Sequence, residues 1–144
     1  MSFKRPSRYL TDDNYFETLS NDRKIDMSWL VKGTKPDLEY KEYTYEGNGS
    51  KYAGEWLGGF RHGNGTQSFM DGTCYTGEWF LGRAHGKGKF HNTKTGLVYD
   101  GQFNDDIVHG YGKLEREGTI YIGDFNFDRR HGFGIEKDAE GNIY

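Results

Sequence analysis

A single register repeats along this chain, and it limits the possible folds more than any other feature. Tyr52-Ala53-Gly54-Glu55-Trp56, Tyr75-Thr76-Gly77-Glu78-Trp79, Tyr99-Asp100-Gly101-Gln102-Phe103 and Tyr121-Ile122-Gly123-Asp124-Phe125 share the form Tyr-x-Gly-x-aromatic, at intervals of 23, 24 and 22 residues. Ten residues after each tyrosine comes a His-Gly-x-Gly block: His62-Gly63-Asn64-Gly65, His85-Gly86-Lys87-Gly88, His109-Gly110-Tyr111-Gly112 and His131-Gly132-Phe133-Gly134. Each unit closes with Gly-x-x-Tyr, the last at Gly141 to Tyr144. The ten-residue step never varies, whereas the stretch after Gly-x-Gly does, so the first is set by structure and the second is loop. Side chains alternate along a strand, which puts Tyr, Gly and Trp or Phe on one face. His-Gly-x-Gly is then expected to open a second strand, whose bare glycines let a neighbouring ring lie flat on the backbone. Segments such as Leu57-Gly58-Gly59-Phe60-Arg61 and Asn104-Asp105-Asp106-Ile107-Val108 supply turns between them. The predicted fold is mostly β: an elongated, single-layer, twisted antiparallel meander of eight or nine strands, each unit packing only on its neighbours, with a short, partly helical N-terminal segment. A leucine-rich repeat of similar length is excluded, because Leu57 and Leu81 have no counterparts in the later units.

Composition sharpens this picture. Of 144 residues only 33% are apolar and 17% are aromatic, so rings must supply most of the buried area. Apolar runs are as short as Trp29-Leu30-Val31, against the ~20 residues that a membrane-spanning helix needs. Residues 1–8 lead into no apolar run, and Ser2 stands where myristoylation requires glycine, so no export signal or lipid anchor is expected. The one cysteine, Cys74, fits a reducing compartment, and a cytoplasmic location is the expectation. A net charge of −3 suits neither nucleic acid nor an anionic lipid surface. Both prolines, Pro6 and Pro36, precede residue 45, and every glycine except Gly33 follows it. The chain accordingly divides into an N-terminal segment, 1–44, and a repeat domain, 45–144, in which residues 45–51 read as the second half of a degenerate earlier unit. Within the first segment Thr11-Asp12-Asp13 caps a helix with Tyr15, Phe16 and Leu19 on one side. A second helix starts near Ser20-Asn21-Asp22, carries Ile25, Trp29 and Leu30, and stops at Gly33-Thr34-Lys35-Pro36. This segment either covers the edge of the first repeat or forms a partner-binding arm presenting Tyr15, Phe16, Leu19 and Trp29.

No arrangement of residues points to catalysis. The four register histidines lie two strand spacings apart, about 9–10 Å, whereas a zinc ion needs ligands at roughly 2.0–2.3 Å. Their expected role is to hold the turn before the glycines. Gly-x-Gly here lacks the strand-to-helix context of a phosphate loop, and Cys74 has no basic neighbour in sequence. Glu55, Glu78 and Asp124 share one position, which a solvated strand face explains. The expectation is a non-enzyme with no metal, no cofactor and no catalytic residue.

Four units in register resemble the MORN repeat (membrane occupation and recognition nexus) over residues 52–144. Phe103 and Phe125 replace the usual Trp, and unit two carries an extended loop at His91-Asn92-Thr93-Lys94-Thr95. The resemblance assigns structural roles to Gly54, Gly77, Gly101, Gly123 and the four His-Gly-x-Gly blocks. It implies a non-catalytic scaffold or adaptor that binds a helical or extended segment of a protein partner, in a cytoskeletal or ciliary and flagellar assembly. The alternatives are a peripheral phospholipid-binding module and an accessory targeting domain of a larger protein. Recognition of anionic lipid usually takes clusters of four to eight Lys or Arg, and Arg129-Arg130 or Lys87 with Lys89 fall short of that. The candidate partner surface is the aromatic face: Tyr52, Trp56, Tyr75, Trp79, Tyr99, Phe103, Tyr121 and Phe125. The competing reading makes these eight rings core and gives the contacts to variable positions such as Phe60, Phe80, Phe127 and Tyr111. Tyr144 stands where another Tyr-x-Gly strand would begin, so the last strand is expected to have an open edge, suited to self-association or to a longer array.

Overall fold

Glycine faces glycine across seven successive strand pairs, and the sheet is organised around that seam. The computed structural model describes residues 28–127 and 129–144. One helical turn, α1 (Ser28–Lys32), precedes the strands β1 (Glu39–Thr44), β2 (Lys51–Leu57), β3 (Phe60–Ser68), β4 (Thr73–Phe80), β5 (Arg83–Asn92), β6 (Val98–Asn104), β7 (Ile107–Arg116), β8 (Thr119–Asn126) and β9 (Arg129–Lys137). They pair antiparallel in chain order as one open sheet, so the predicted hairpin meander is the fold. Along the seam Gly54 faces Gly65, Gly65 faces Gly77, and the pattern continues through Gly88, Gly101, Gly112 and Gly123 to Gly134. The rings of Tyr52, Tyr75, Tyr99 and Tyr121 lie against Gly65, Gly88, Gly112 and Gly134, where any methyl group would overlap them. The tyrosine hydroxyl then donates to the carbonyl three residues on: Tyr52 to Glu55 at 2.9 Å, Tyr75 to Glu78 at 2.7 Å, Tyr99 to Gln102 at 2.9 Å and Tyr121 to Asp124 at 3.1 Å.

That carbonyl belongs to a bulge. In the first hairpin Gly54 faces Gly65 but Trp56 faces Arg61, so His62, Gly63 and Asn64 bow out opposite Glu55 alone. The same shift recurs at Gly77/Trp79, Gly101/Phe103 and Gly123/Phe125. Gly63, Gly86 and Gly110 adopt φ of 90°, 91° and 93° there, a conformation open to glycine and strained for other residues. Side chains take up the N–H groups that leave the ladder. The Asn64 N–H donates to Glu55 Oε1 at 2.8 Å, the Lys87 N–H to Glu78 Oε2 at 2.5 Å and the Tyr111 N–H to Gln102 Oε1 at 2.9 Å. Two expectations are corrected here. His-Gly-x-Gly does not open the second strand, which starts two residues earlier at Phe60, Arg83, Ile107 or Arg129; it is the bulge within it. Glu55 and Glu78 are more than a solvated face, because their carboxylates satisfy the bulged backbone.

Two-residue turns close the hairpins. Leu81-Gly82, Asp105-Asp106 and Glu117-Gly118 all have positive φ at both positions, the mirror-image turn whose twist matches that of the strands. The extended loop of unit two is tied down by Thr93, which bonds the Gly72 carbonyl through its N–H at 2.9 Å and its hydroxyl at 3.0 Å. The sheet begins at Glu39, ahead of the composition change at residue 45, and β1 accepts the Trp56 indole N–H at the Lys41 carbonyl, 3.0 Å away. Helix α1 ends at Gly33 (φ 66°), beyond which the Thr34 N–H reaches back to the Trp29 carbonyl at 3.1 Å. The helix expected after Thr11, with Tyr15, Phe16 and Leu19, lies outside the described residues. At the other end the Tyr144 N–H donates to the Glu136 carbonyl at 2.7 Å and the Glu136 N–H returns the bond at 3.2 Å.

Gly88→Ala drives a methyl into the Tyr75 ring and is expected to cost about 1–3 kcal/mol, read as a lower urea midpoint. Gly47, with nothing within 4 Å of a Cβ and no positive φ, tolerates alanine within about 0.5 kcal/mol.

Candidate interaction surface

The eight rings proposed as a partner-facing surface form instead one buried ladder. Their exposures run from 0 to 6%. Tyr52 meets Trp56 of its own repeat at 5.0 Å and Trp79 of the next at 5.4 Å, and Tyr75 meets Trp79 at 5.0 Å and Phe103 at 4.9 Å. Tyr99 does the same with Phe103 and Phe125, both at 5.2 Å, and Tyr121 ends the series on Phe125 at 5.3 Å. Every contact is edge-to-face, the geometry that the ring quadrupole favours. Rings from adjacent hairpins thus interleave, and one face of a single sheet becomes its own core. Burial pushes the phenol pKa of Tyr52 and Tyr75 well above its ordinary value, so both hydroxyls remain donors.

Side chains nine and fifteen residues after each tyrosine fill the space beside the ladder. The two central repeats use apolar pairs, Ala84 with Phe90 and Val108 with Leu114, all buried. The outer two use polar ones. Arg61 donates to Gln67 Oε1 at 2.9 Å and to the Gly82 carbonyl at 3.0 Å while its guanidinium covers the Trp79 ring at 4.5 Å. Arg130 pairs with Glu136 at 2.6 Å above the Tyr121 ring. Asp106, fully buried, accepts the Ala84 N–H at 2.7 Å and lies 3.7 Å from Arg83 Nη1. Desolvation pushes its carboxyl up to about 6, against the opposing pull of the Ala84 hydrogen bond and of Arg61 and Arg83.

The opposite face carries the surface. Its first half is covered by the chain's own N-terminal strap, residues 28–38. The Trp29 ring stands edge-on to His62 at 5.2 Å and to Phe80 at 6.1 Å, and the Leu38 side chain lies against Gly63. Pro36, Leu38, His62, Asn64, Phe80 and His85 line a groove of about 510 Å³. His62 does not simply brace its own turn: its Nδ1 accepts the Leu81 N–H of the next repeat at 3.1 Å, and burial lowers its pKa. Of the arm candidates, Trp29 is therefore packed on the repeats, while Tyr15, Phe16 and Leu19 lie outside the described residues.

Beyond the strap this face turns apolar. Tyr111 is 59% exposed, Ile122 38%, Phe127 69%, Phe133 92% and Ile135 57%. Ile122 and Ile135 face each other across β8 and β9. Of the variable positions singled out in the sequence, Tyr111 and Phe127 belong to this surface, Phe80 lies against Trp29, and Phe60 packs against the core. Phe133, Ile122 and Ile135 were missed. A signal for Phe133 existed, since the residue between the two glycines of Gly-x-Gly must point away from the tyrosine ring, and it changes from Asn64 and Lys87 to Tyr111 and Phe133.

The sequence matches the MORN repeat family over residues 52–74, 75–94, 99–117 and 121–143. It is also 34% identical over 90 residues to MORN repeat-containing protein 3 of Xenopus laevis; the match covers 58% of this chain and 37% of that protein. No helix among the described residues is long and apolar enough to cross a membrane.

The buried Asp106 gives the fold a pH signature. Its carboxyl holds a proton more tightly when folded than when unfolded, so it contributes stability at low pH that is lost as pH rises from about 4 through about 6. Asp106→Asn keeps the acceptor for the Ala84 N–H and removes the charge. Its stability relative to the parent chain is expected to rise between pH 4 and pH 7, by at most about 3 kcal/mol, in paired urea titrations; a difference that stays flat with pH would contradict this account of Asp106.

Proposed function

Because the chain belongs to the MORN repeat family, we propose that it works as a non-catalytic scaffold that binds a protein partner through the face opposite its ring ladder. MORN repeats often serve in protein–protein or membrane binding and do not define an enzyme family. The observation that carries the reading is the apolar surface of Tyr111, Ile122, Phe133 and Ile135, exposed on a strand array whose other face is filled by its own rings. Exposed apolar groups gathered in this way mark interaction sites more often than they serve stability. The repeat resemblance supports placing this scaffold in the cytoplasm, within a cytoskeletal or ciliary assembly. The matched part of the Xenopus laevis protein is little more than a third of its length, so no partner is carried over from it.

Phe133→Asp and Ile135→Asp change exposed side chains and should leave the urea midpoint within about 0.5 kcal/mol of the parent. In affinity capture from a ciliated-cell extract, the scaffold reading expects a protein retained by the parent chain and lost with either variant. Sedimentation of the parent chain with phosphatidylserine vesicles, with no protein retained, would replace it by the lipid-binding alternative.

A further inference from the structure

One imidazole joins the strap to the array beneath it. Of the four register histidines only His62 is buried, at 6% exposure. Its ring meets Trp29 of the strap at 5.2 Å and Phe80 of the second repeat at 5.1 Å. Its Nδ1 accepts the Leu81 N–H at 3.1 Å, at a turn residue held at φ 46°. That bond requires a bare nitrogen. A neutral imidazole accepts at one ring nitrogen and donates at the other, whereas an imidazolium donates at both and cannot face an N–H.

The strap itself is seated lightly. Within residues 28–38 only Trp29, Pro36 and Leu38 are half-buried and the rest are exposed. Helix α1 contributes no buried residue. The Trp29 indole N–H is shut away from solvent without an acceptor among the described residues, which works against the seated position. Trp29 therefore holds its place through ring contacts with His62 and Phe80, and those contacts depend on where the His62 ring stands.

We propose that His62 is a pH-sensitive latch: a proton on its Nδ1 breaks the bond from the Leu81 N–H, turns the ring out of its site and releases the strap from the face of repeats one and two. This goes beyond the scaffold reading and stands without it, since no partner is needed for the strap to open. The charged and titratable groups that line the groove with His62 are Glu55 on β2, Glu78 on β4, His85 on β5, and Lys35 and Asp37 on the strap; Asp105 lies 3.8 Å from His85 Nδ1. Burial holds the seated His62 below the ordinary imidazole value of 6.5, and the Glu55 carboxylate opposes it more weakly. Once turned out, the ring is solvated and binds a proton more tightly than when seated. Falling pH therefore favours the open strap, and the change sets in as pH drops through 6.5.

The test follows the full chain by NMR from about pH 7.5 to about pH 5, across the range in which imidazole titrates. The expected result is that NOEs between the Trp29 and Phe80 rings weaken as the His62 ring titrates. The Leu81 amide should exchange at least about threefold faster relative to its intrinsic rate at each pH. His62→Asn offers an amide oxygen near the Nδ1 position and takes up no proton, so both changes should disappear. His85→Asn should keep them. Asp106, which titrates in an overlapping range, is present in both variants and does not distinguish them. Trp29–Phe80 NOEs that hold or strengthen while His62 titrates would overturn the proposal, the second by making the imidazolium a better seat for the rings. Changes that persist in His62→Asn, or vanish in His85→Asn, would overturn it by assigning the proton to another group.

Discussion

A tyrosine ring laid flat on a glycine backbone is the contact on which the rest of this structure depends. It requires the seam to be free of side chains, and the seam in turn brings the strands into a register that no residue with a Cβ allows. The bulge beside it removes a carbonyl and an N–H from the ladder. The tyrosine hydroxyl takes the carbonyl, and in three repeats the side chain of Glu55, Glu78 or Gln102 takes the N–H. Backbone polar groups left without partners are costly, so ring, glycine, bulge and acid form one unit that is kept or lost together. With the rings held flat, those of neighbouring hairpins interleave, and the sheet buries a face without a second layer.

Much of this was legible in the residues. Tyr-x-Gly-x-aromatic at a constant ten residues from His-Gly-x-Gly could only be a strand, a turn and a strand, and the glycine-under-ring contact followed from side-chain alternation. The bulge was not legible, because ten residues fit a straight hairpin as well as a bulged one, and the sign of φ at Gly63 is not written in its neighbours. The burial of the rings was legible only as one of two readings, core or partner surface. Alternation puts them on one face, but whether that face is groove or core depends on the 5 Å spacing between rings of adjacent repeats, which is a property of sheet twist. Strand β1, Glu39-Tyr40-Lys41-Glu42-Tyr43-Thr44, carries neither the glycine nor the tryptophan of the register. It is recruited by the free edge of β2 and by the Trp56 indole.

The two faces divide the labour of the repeat. On the ladder face nearly every position is fixed by a neighbour, and variation is confined to matched pairs. On the other face the positions between the fixed glycines are unconstrained by packing, and there the chain changes from Asn and Lys to Tyr and Phe along its length. The strap samples that face at the N-terminal end, seating Trp29 against His62 and Phe80 and Leu38 against Gly63.

The matched pairs beside the ladder have a further consequence. Arg61 belongs to the first repeat, yet the ring it covers and the carbonyl it bonds belong to the second; Asp106 belongs to the third, yet it holds an amide of the second. Hairpins that share one register and one bulge therefore meet at junctions that are not interchangeable. Placed ahead of the third repeat, the first would set its guanidinium over a phenyl ring and beside the turn of a buried carboxylate. Order along the array is encoded in these junctions, so a duplicated or shuffled hairpin would have to bring its neighbour's half of the lock with it.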